Sequence, residues 1–355
     1  MDGPDYPVFE IDSPEVGRDR AGASRNARMS RLLVLHQGAL GDFVLALSVV
    51  QPLRRVLGCS HVAAIAGAAS ARLAAGRSVI DVAVAPDAVG LHTLFTVTAD
   101  GGLASRLAAH LGEAAVVLSF LGDAAGSIHR RLCTASAGRV LSIDPRPTPE
   151  TLAARRHITQ AWAEALRSQG VAIAPEPPEI RTTGDHLRGT ASDGVSGPGG
   201  TDRRLRSVRE GVVLIHPGSG GAAKCWPIER FMELADRVGR EAKVRWMLGP
   251  AELERDQERL APLRRRIERS GETLIVEEDL TRAAERVGDA DLYIGNDAGM
   301  THVGAAIGVP TVAIFTATDP AVWRPLNANA RVVSAESCGG SDVSVEAVWR
   351  VISNE

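Results

Sequence analysis

The 355-residue chain lacks several features that would assign it to whole classes of protein. Its four cysteines are scattered with no C-x-x-C pair, which argues against a disulfide framework and a structural zinc site. No apolar run approaches the roughly 20 residues of a membrane span, and the first residues lack the apolar middle of a signal peptide. A formal charge of −3 excludes a general affinity for nucleic acid. We expect a cytoplasmic globular protein, and peripheral contact with the inner membrane is left open.

Aromatic residues are also scarce, at 4% of the chain, so the core must rest mainly on Ala, Val, Leu and Ile. Hydrophobic residues nevertheless make up 45%, which is typical of a folded soluble protein. A chain of this length usually folds as two domains rather than one. The sequence contains no G-x-G-x-x-G between a strand and a helix, so a dinucleotide-binding fingerprint is not supported.

Apolar strand patterns alternate with helical patterns from Arg31 onwards. The run RLLVLH (31–36) predicts a buried strand, and DFVLALSVVQPLRRVLG (42–58) predicts a helix that Pro52 should kink or split. HITQAWAEALRSQG (157–170) predicts an amphipathic helix. Alternating strands and helices with few hairpin signals indicate an α/β fold built on parallel sheets.

Composition changes divide the chain into segments. Residues 1–30 predict a disordered tail, within which Met29 is an alternative start, and 31–180 predict the first α/β domain. The Gly-, Pro- and Ser-rich stretch 181–210 predicts a flexible linker or insertion, after which the alternation restarts. We expect a second α/β domain over 211–340 and a closing helix over 341–355. Within the second domain, AELERDQERLAPLRRRIERSG predicts one charged helix. Two such domains place a ligand in a cleft between them, at the carboxyl ends of both sheets.

The first candidate loop is HQGALGD (36–42), directly after the first strand. Gly38 and Gly41 permit a tight turn into the next helix, whose start offers free N–H groups. Asp42 lies in the first helical turn, where the helix dipole favours a carboxylate. The alternative interpretation is that Asp42 only caps the helix.

The second candidate loop is HPGSGGAAKCWPIERF (216–231), after the first strand of the second half. Its glycine-rich part forms a pliable anion cradle in which Ser219 and Gly220 are candidate phosphate contacts. Lys224 can reach an oxyanion as a compact positive charge. The alternative is an ordinary surface lysine before a helix, with Trp226 serving only to pack.

The third candidate loop lies within DLYIGNDAGMTHVGAAIGVPTVAIF (291–315). A short helix is predicted to start near Gly299 or Met300 and to stop at Gly308, and its free N–H groups would form an anion site with Ala298 and Gly299. His302 in the first turn can donate to a phosphate, and Asp297 can accept from a sugar hydroxyl. The alternative is a capping aspartate and a buried, satisfied histidine.

Together these three blocks resemble the heptosyltransferase family, glycosyltransferase family 9. The shared patterns are G-x-L-G-D after the first strand, H-P-G-x…K-x-W-P midway, and G-N-D-x-G-x-x-H…G-x-P-T-x-x-[IL]-F late. The resemblance runs from about Arg31 to Pro325 and leaves out the tail and the 181–210 stretch. It implies a GT-B fold, with two Rossmann-like domains whose parallel sheets face a central cleft.

The resemblance also implies roles for individual residues. Asp42 matches the family's candidate general base, on an acceptor-side loop that contains Gly38 and Gly41. Lys224 matches its donor-phosphate lysine, and the residues matching its donor site are Asp297, Gly299 and His302. Ala298 replaces a commoner residue of the family and is kept as a candidate donor contact because its neighbours match. Glu252, in GPAELE after a strand, falls where the family often places an acid that holds the donor nucleoside.

No metal or other cofactor is predicted, since Lys224, His302 and helix N–H groups can stabilise a departing diphosphate. The one formal match to a metal motif is DAD (289–291), which comes before a strand rather than after one. We therefore interpret its two aspartates as solvated residues at the start of that strand.

The sequence thus predicts an inverting, metal-independent glycosyltransferase. Its donor would be a nucleotide-diphosphate heptose, ADP-heptose first, and its acceptor a hydroxyl of a lipopolysaccharide core or related glycoconjugate. Two alternatives remain: a nucleotide-sugar epimerase on the same scaffold, and a non-catalytic nucleotide-sugar-binding relative.

Overall fold

A computed structural model describes residues 31–353 except 97–101, 123–125, 184–210 and 340–341. The predicted tail (1–30) and nearly all of the predicted linker (181–210) therefore lie outside the described residues. The chain divides into two compact units between Glu176 and Pro177.

The predicted domain boundary lies after residue 180, whereas the structure places it after Glu176. The Glu176 N–H donates to the Ser48 carbonyl of the first unit at 2.9 Å. The Ile180 N–H instead donates to the Ala306 carbonyl of the second unit at 3.0 Å. Backbone hydrogen bonds thus assign the last residues of the predicted first domain to the second unit.

The first unit contains a five-stranded parallel sheet in the order β3-β2-β1-β4-β5. Its strands are β1 (Arg31–His36), β2 (His61–Ala66), β3 (Val82–Val84), β4 (Val116–Ser119) and β5 (Arg139–Ser142). Its α-helices are α1 (Leu40–Val56), α2 (Ala68–Ala74), α3 (Pro86–Val89), α4 (Ser105–Glu113), α5 (Ser127–Ala135), α6 (Pro149–Ala153) and α7 (Ile158–Ser168). A 3-10 helix spans Leu91–Leu94.

Of the two outcomes predicted for Pro52, the split is wrong, because α1 continues through Pro52 as a single helix. Proline has no N–H, so the carbonyl four residues earlier, that of Ser48, loses its helical donor. The Glu176 N–H supplies the missing hydrogen bond to Ser48. A tertiary contact from the end of the unit thus compensates for the hydrogen bond that Pro52 removes from the helix.

The second unit contains a six-stranded parallel sheet in the order β11-β10-β9-β6-β7-β8. Its strands are β6 (Val212–His216), β7 (Lys243–Leu248), β8 (Thr273–Val276), β9 (Leu292–Asn296), β10 (Thr311–Phe315) and β11 (Ala330–Ser334). Its α-helices are α8 (Ile228–Val238), α9 (Pro250–Arg255), α10 (Gln257–Ser270), α11 (Leu280–Gly288), α12 (Gly299–Ile307), α13 (Pro320–Trp323) and α14 (Val345–Ser353). Short 3-10 helices span Ala222–Lys224 and Glu336–Cys338.

The single charged helix predicted after β7 is wrong, because the structure contains two helices, α9 and α10. They separate at Asp256, whose backbone is not helical (φ −106°, ψ 30°). The Asp256 carboxylate accepts hydrogen bonds from Arg255 at the end of α9 and from Arg259 in the first turn of α10. The charged periodicity continues across the break, so the pattern alone does not reveal it.

Two edge strands, β5 and β11, were not predicted from the sequence. Each lies at the margin of its sheet and is buried only over its last two residues. An edge strand that is covered on one side only does not need the continuous apolar run by which the central strands are recognised.

The chain order of the strands reverses at one point in each sheet. In the first unit this point lies between β1 and β4, and in the second between β6 and β9. In open α/β sheets, ligands bind outside the carboxyl ends of the strands at such a switch point. In the second unit, buried apolar side chains cover both faces of the sheet, so the strand-end loops stand on a rigid base. None of the described helices is both long and apolar enough to cross a membrane.

Candidate active-site residues

Two of the predicted loops meet at the switch point of the second sheet. Strands β6 and β9 pair in parallel with His216 opposite Gly295, so their carboxyl ends lie side by side. The glycine-rich loop that follows β6 therefore adjoins the loop that follows β9. The fold thus brings together two sequence blocks about 80 residues apart.

Asn296 at the end of β9 ties the two loops together. Its fully buried side-chain amide donates to the carbonyls of Pro217 and Gly218 at 3.0 and 3.2 Å. Its side-chain oxygen accepts the backbone N–H of Trp226 at 2.9 Å. The Trp226 side chain is buried, in line with the packing role that the sequence suggested. The sequence draws attention to Asn296 at this seam but assigns it no role.

Asp297 is the centre of the polar cluster. Its Oδ2 accepts hydrogen bonds from Lys224 Nζ at 2.8 Å and from Thr318 Oγ1 at 2.6 Å. His302 Nε2 lies 4.0 Å from Oδ1. The Asp297 side chain is only 6% exposed, whereas that of Lys224 is 40% exposed, so the lysine remains within reach of a ligand. Thr318 was missed, although it lies in the segment after β10.

Helix α12 begins as the sequence predicts, at Gly299, and ends before Gly308, which has a positive φ of 91°. Its N-cap is Ala298, which is extended and provides no side-chain cap. The interpretation of Asp297 as a capping residue is therefore wrong. His302 lies in the first turns of α12 and is buried.

The glycine-rich loop contacts the same cluster. Ser219 is buried, and its hydroxyl donates to the Asp297 carbonyl at 3.1 Å. Gly220 is exposed and has open space around its α-carbon. Lys224 follows on the 3-10 helix Ala222–Lys224. The structure thus brings together Lys224, Ser219, Asp297 and His302, with the start of α12 in the same cluster.

Glu252 is connected to this loop through a buried polar chain. Its Oε2 accepts the Gly249 N–H at 2.8 Å and lies 3.0 Å from His216 Nε2, while His216 Nδ1 lies 2.9 Å from the Tyr293 hydroxyl. Burial opposes ionisation of Glu252, but the hydrogen bond and charge of His216 outweigh it and lower the pKa of the carboxyl. A Cβ on Gly218 would come within 1.9 Å of Oε1, so a larger residue at that position would displace the Glu252 carboxylate.

The remaining predicted residues lie in the first unit. Asp42 is in the first turn of α1, whose N-cap is Ala39, so the interpretation of Asp42 as the cap is wrong. Asp42 is partly buried, as is Gly41, and Gly38 is exposed in the loop between β1 and α1. A Cβ on Gly38 would approach His36 Cε1 to 2.8 Å and Asp42 Cβ to 3.3 Å. The loop is thus packed tightly between a strand-end histidine and the candidate base.

His36 is the residue of this loop that sequence reasoning missed. It is buried between the rings of Phe43 and Phe120, and burial lowers its pKa to about 4, so the imidazole is neutral near pH 7. Its Nδ1 accepts the Gly38 N–H at 3.2 Å, which places the ring proton on Nε2. Within the described part of the chain, Nε2 has no hydrogen-bond partner.

The described residues contain no group of three or more His, Cys, Asp and Glu side chains that could hold a metal ion. In the DAD stretch, the carboxylate of Asp291, just before β9, accepts the Val212 N–H at 2.8 Å. This contact joins the amino-terminal ends of β6 and β9, whereas the polar cluster lies at their carboxyl ends.

Comparison with known proteins identifies the family. The model of glycosyltransferase family 9 (heptosyltransferase) matches residues 160–347, which is more than half of the chain. This chain belongs to glycosyltransferase family 9. The matched region includes the whole polar cluster of the second unit, whereas Asp42 lies outside it.

Individual relatives agree with this assignment. Lipopolysaccharide heptosyltransferase 2 of Salmonella typhimurium is 30% identical over 134 residues, which cover 38% of this chain and 38% of the relative. The aligned part thus spans little more than a third of that relative. Solved structures match much more of the chain: a family 9 glycosyl transferase from Veillonella parvula (TM-score 0.63, 20% identity) covers 90% of this chain and 95% of its own. The structure of E. coli heptosyltransferase WaaC with ADP (TM-score 0.60, 15% identity) matches over 91% of this chain and 99% of WaaC. These likenesses confirm the predicted GT-B fold class.

Proposed function

We propose that this protein is an inverting, metal-independent glycosyltransferase. It would transfer a heptose or similar sugar from a nucleoside-diphosphate donor, ADP-heptose first, to a hydroxyl of a lipopolysaccharide core or related glycoconjugate. The observation that carries the proposal is the cluster of Lys224, Asp297 and the start of α12 at the switch point of the second sheet.

The cluster supplies what a departing diphosphate requires. The ammonium of Lys224 offers three donors, one of which is used by Asp297, and the others are available to phosphate oxygens. The first N–H groups of α12 point out of the helix start, where the helix dipole also favours an anion. Preorganised donors of this kind stabilise charge as it develops on the leaving group. We assign the donor to the second unit for this reason.

The first unit supplies the carboxylate that the reaction needs. In the proposed step, the acceptor oxygen attacks the anomeric carbon of the donor and the bond from that carbon to the diphosphate breaks. The hydroxyl proton passes to the Asp42 carboxylate, and the nucleoside diphosphate leaves with the bonding electrons. Direct displacement inverts the anomeric configuration, and Asp42 acts as general base.

The identity of the donor rests on similarity. The solved relatives include heptosyltransferase WaaC with ADP and with ADP-2-deoxy-2-fluoro heptose, and the curated relatives are lipopolysaccharide heptosyltransferases. These printed descriptions support ADP-heptose as donor and a lipopolysaccharide acceptor for this chain. Glu252 is the proposed contact of the donor nucleoside. Its carboxyl lies against Gly218 of the glycine-rich loop and has a lowered pKa.

The test has two parts. Calorimetric titration with ADP, UDP, GDP and dTDP should show a clear preference for ADP; preference for another base would change the donor but not the class of reaction. Incubation with ADP-heptose should then release ADP only when a lipopolysaccharide-core acceptor is present. An isomerised donor without acceptor would indicate an epimerase, and binding without turnover over a panel of acceptors would indicate a non-catalytic relative.

A further inference from the structure

The backbone of the glycine-rich loop after β6 is held by side chains that donate to its carbonyl groups. The Pro217 carbonyl accepts from Asn296 and from Arg259 NH1 at 3.2 Å, and the Gly218 carbonyl accepts from Asn296. The Ser219 carbonyl accepts from Arg255 NH2 at 2.7 Å. Three successive carbonyls are therefore fixed by side chains from elsewhere in the second unit.

Fixing these carbonyls also fixes the direction of the amides. In a planar trans peptide, the C=O of one residue and the N–H of the next point in opposite directions. Holding the carbonyls of residues 217–219 therefore points each N–H group of residues 218–220 away from the side chain that holds the preceding carbonyl. Among the described residues, no acceptor is recorded for the N–H groups of Ser219 and Gly220. Successive backbone N–H groups in a turn are suited to binding an anion.

Two of the holding side chains are themselves held by a single buried acid. Asp256 is 8% exposed, and its carboxylate accepts from Arg255 Nε and NH2 at 2.9 and 2.8 Å. Arg259 NH2 donates to the same carboxylate at 2.9 Å. Asp256 also occupies the break between α9 and α10, so the two arginines project from different helices. We call Arg255, Asp256 and Arg259 the arginine brace.

The brace is stronger than an ordinary surface ion pair. The Arg255 guanidinium forms a two-point contact with the carboxylate, which fixes its plane as well as its position. The hydrogen bonds from Arg255 and Arg259 lower the pKa of Asp256 to about 2, so the carboxylate stays charged at any pH near neutrality.

We propose that the arginine brace is a positioning device for the donor diphosphate. Through Ser219 and Pro217 it orients the N–H groups of residues 218–220 towards the phosphate oxygens without itself touching the nucleoside. The inference rests on the proposed function, because it takes the diphosphate as ligand. Asp256 is the central member, since it holds both arginines.

The experiment compares two acids that hold arginines in the same unit. Asp256→Asn keeps the size of the side chain but removes the charge and one acceptor. The matched control is Glu272→Gln: Glu272 accepts from Arg266 Nε and NH2 at 2.8 and 2.7 Å, away from the glycine-rich loop. The full-length protein is titrated calorimetrically with ADP and with inorganic pyrophosphate, and Tm is recorded for each variant.

We expect Asp256→Asn to weaken binding of both ligands about tenfold, equivalent to about 1.4 kcal/mol. Glu272→Gln should lower Tm at least as much but leave both affinities unchanged. Arg259→Gln, which spares the Arg255–Asp256 contact, should have a smaller effect of the same kind and serves if Asp256→Asn does not fold. Unchanged pyrophosphate affinity in the brace variants, or an equal loss in Glu272→Gln, would overturn the proposal.

The pyrophosphate titration separates this inference from the proposed function. A wild-type protein that binds pyrophosphate but no nucleoside diphosphate would refute the proposed donor, while the variants would still decide the role of the brace. A wild-type protein that binds neither ligand would refute both.

Discussion

Lys224 Nζ lies 2.8 Å from Asp297 Oδ2, and this contact joins a loop after β6 to a loop after β9. The Asp297 side chain is nearly inaccessible to solvent, whereas that of Lys224 is 40% exposed. The pair therefore fixes the position of the lysine ammonium at the carboxyl ends of the central strands. Because Thr318 also donates to Oδ2, Asp297 is held on two sides and can orient the lysine. The arrangement suits an anion that binds over Lys224.

The first prediction concerns this lysine. Lys224→Met should weaken ADP binding by roughly 10- to 100-fold, since a hydrogen bond to a charged group contributes about 1.5–3 kcal/mol. Calorimetry measures the effect, and Lys243→Met, which alters the exposed lysine at the start of β7, is the matched control. Equal ADP affinity in the two variants would remove Lys224 from the donor site.

The second prediction concerns the loop after β1. Gly38→Ala places a methyl group 2.8 Å from His36 Cε1 and 3.3 Å from Asp42 Cβ, so the loop must shift. Because a misplaced catalytic group is costly, the transfer rate should fall roughly 10- to 100-fold with ADP affinity unchanged. Gly67→Ala, in the loop after β2, meets nothing within 4 Å and should have full activity. A Gly38→Ala protein as active as Gly67→Ala would show that this loop does not position the base.

The third prediction is a pH dependence of stability. Burial lowers the folded-state pKa of His36 from 6.5 to about 4, so between these values the unfolded chain binds more protons than the folded one. The free energy of unfolding should therefore fall as the pH drops from 6.5 towards 4, by up to about 3 kcal/mol from this group.

Urea unfolding at a series of pH values measures this dependence. In His36→Phe, which keeps an aromatic ring against Phe43 and Phe120, the slope between pH 6.5 and 4 should be shallower. Parallel curves for the wild type and the variant would contradict a neutral buried His36.

The fourth prediction concerns metal ions. If Lys224 and the start of α12 supply the positive charge for the leaving group, as proposed, EDTA should leave the transfer rate unchanged. Added Mg²⁺ should not raise it. A rate that collapses with EDTA and returns with Mg²⁺ would count against the role given to Lys224.

The sequence predicted the α/β class, the central strands and the start of α12 well, since these depend on continuous apolar runs and glycine signals close together in the chain. It predicted that Pro52 kinks or splits the first helix, which is not split, and it missed the break at Asp256. In both cases a distant or charged partner decides the outcome: Glu176 completes the helix at Ser48, and the two arginines at Asp256 stabilise a non-helical residue. Local patterns carry no information about such partners.

The sequence also singled out Lys224, Ser219, Asp297 and His302, which the structure brings together, because they lie in or beside loops with strong glycine signals. The supporting residues were missed or given no role. These residues act through buried hydrogen bonds to their neighbours in the fold, as seen for Asn296, His36 and Asp256. A single polar residue in an apolar or charged stretch of sequence does not reveal such contacts.

The measurement that tests the central claim most directly is a paired assay of Asp42→Ala. If the first unit supplies the base and the second unit the diphosphate site, the variant should lose at least 100-fold in transfer, within the usual range for general base catalysis. It should still bind ADP with wild-type affinity. Asp144→Ala, an exposed acid beyond β5 in the same unit, should transfer normally. Full transfer by Asp42→Ala, or loss of ADP binding together with activity, would contradict the account.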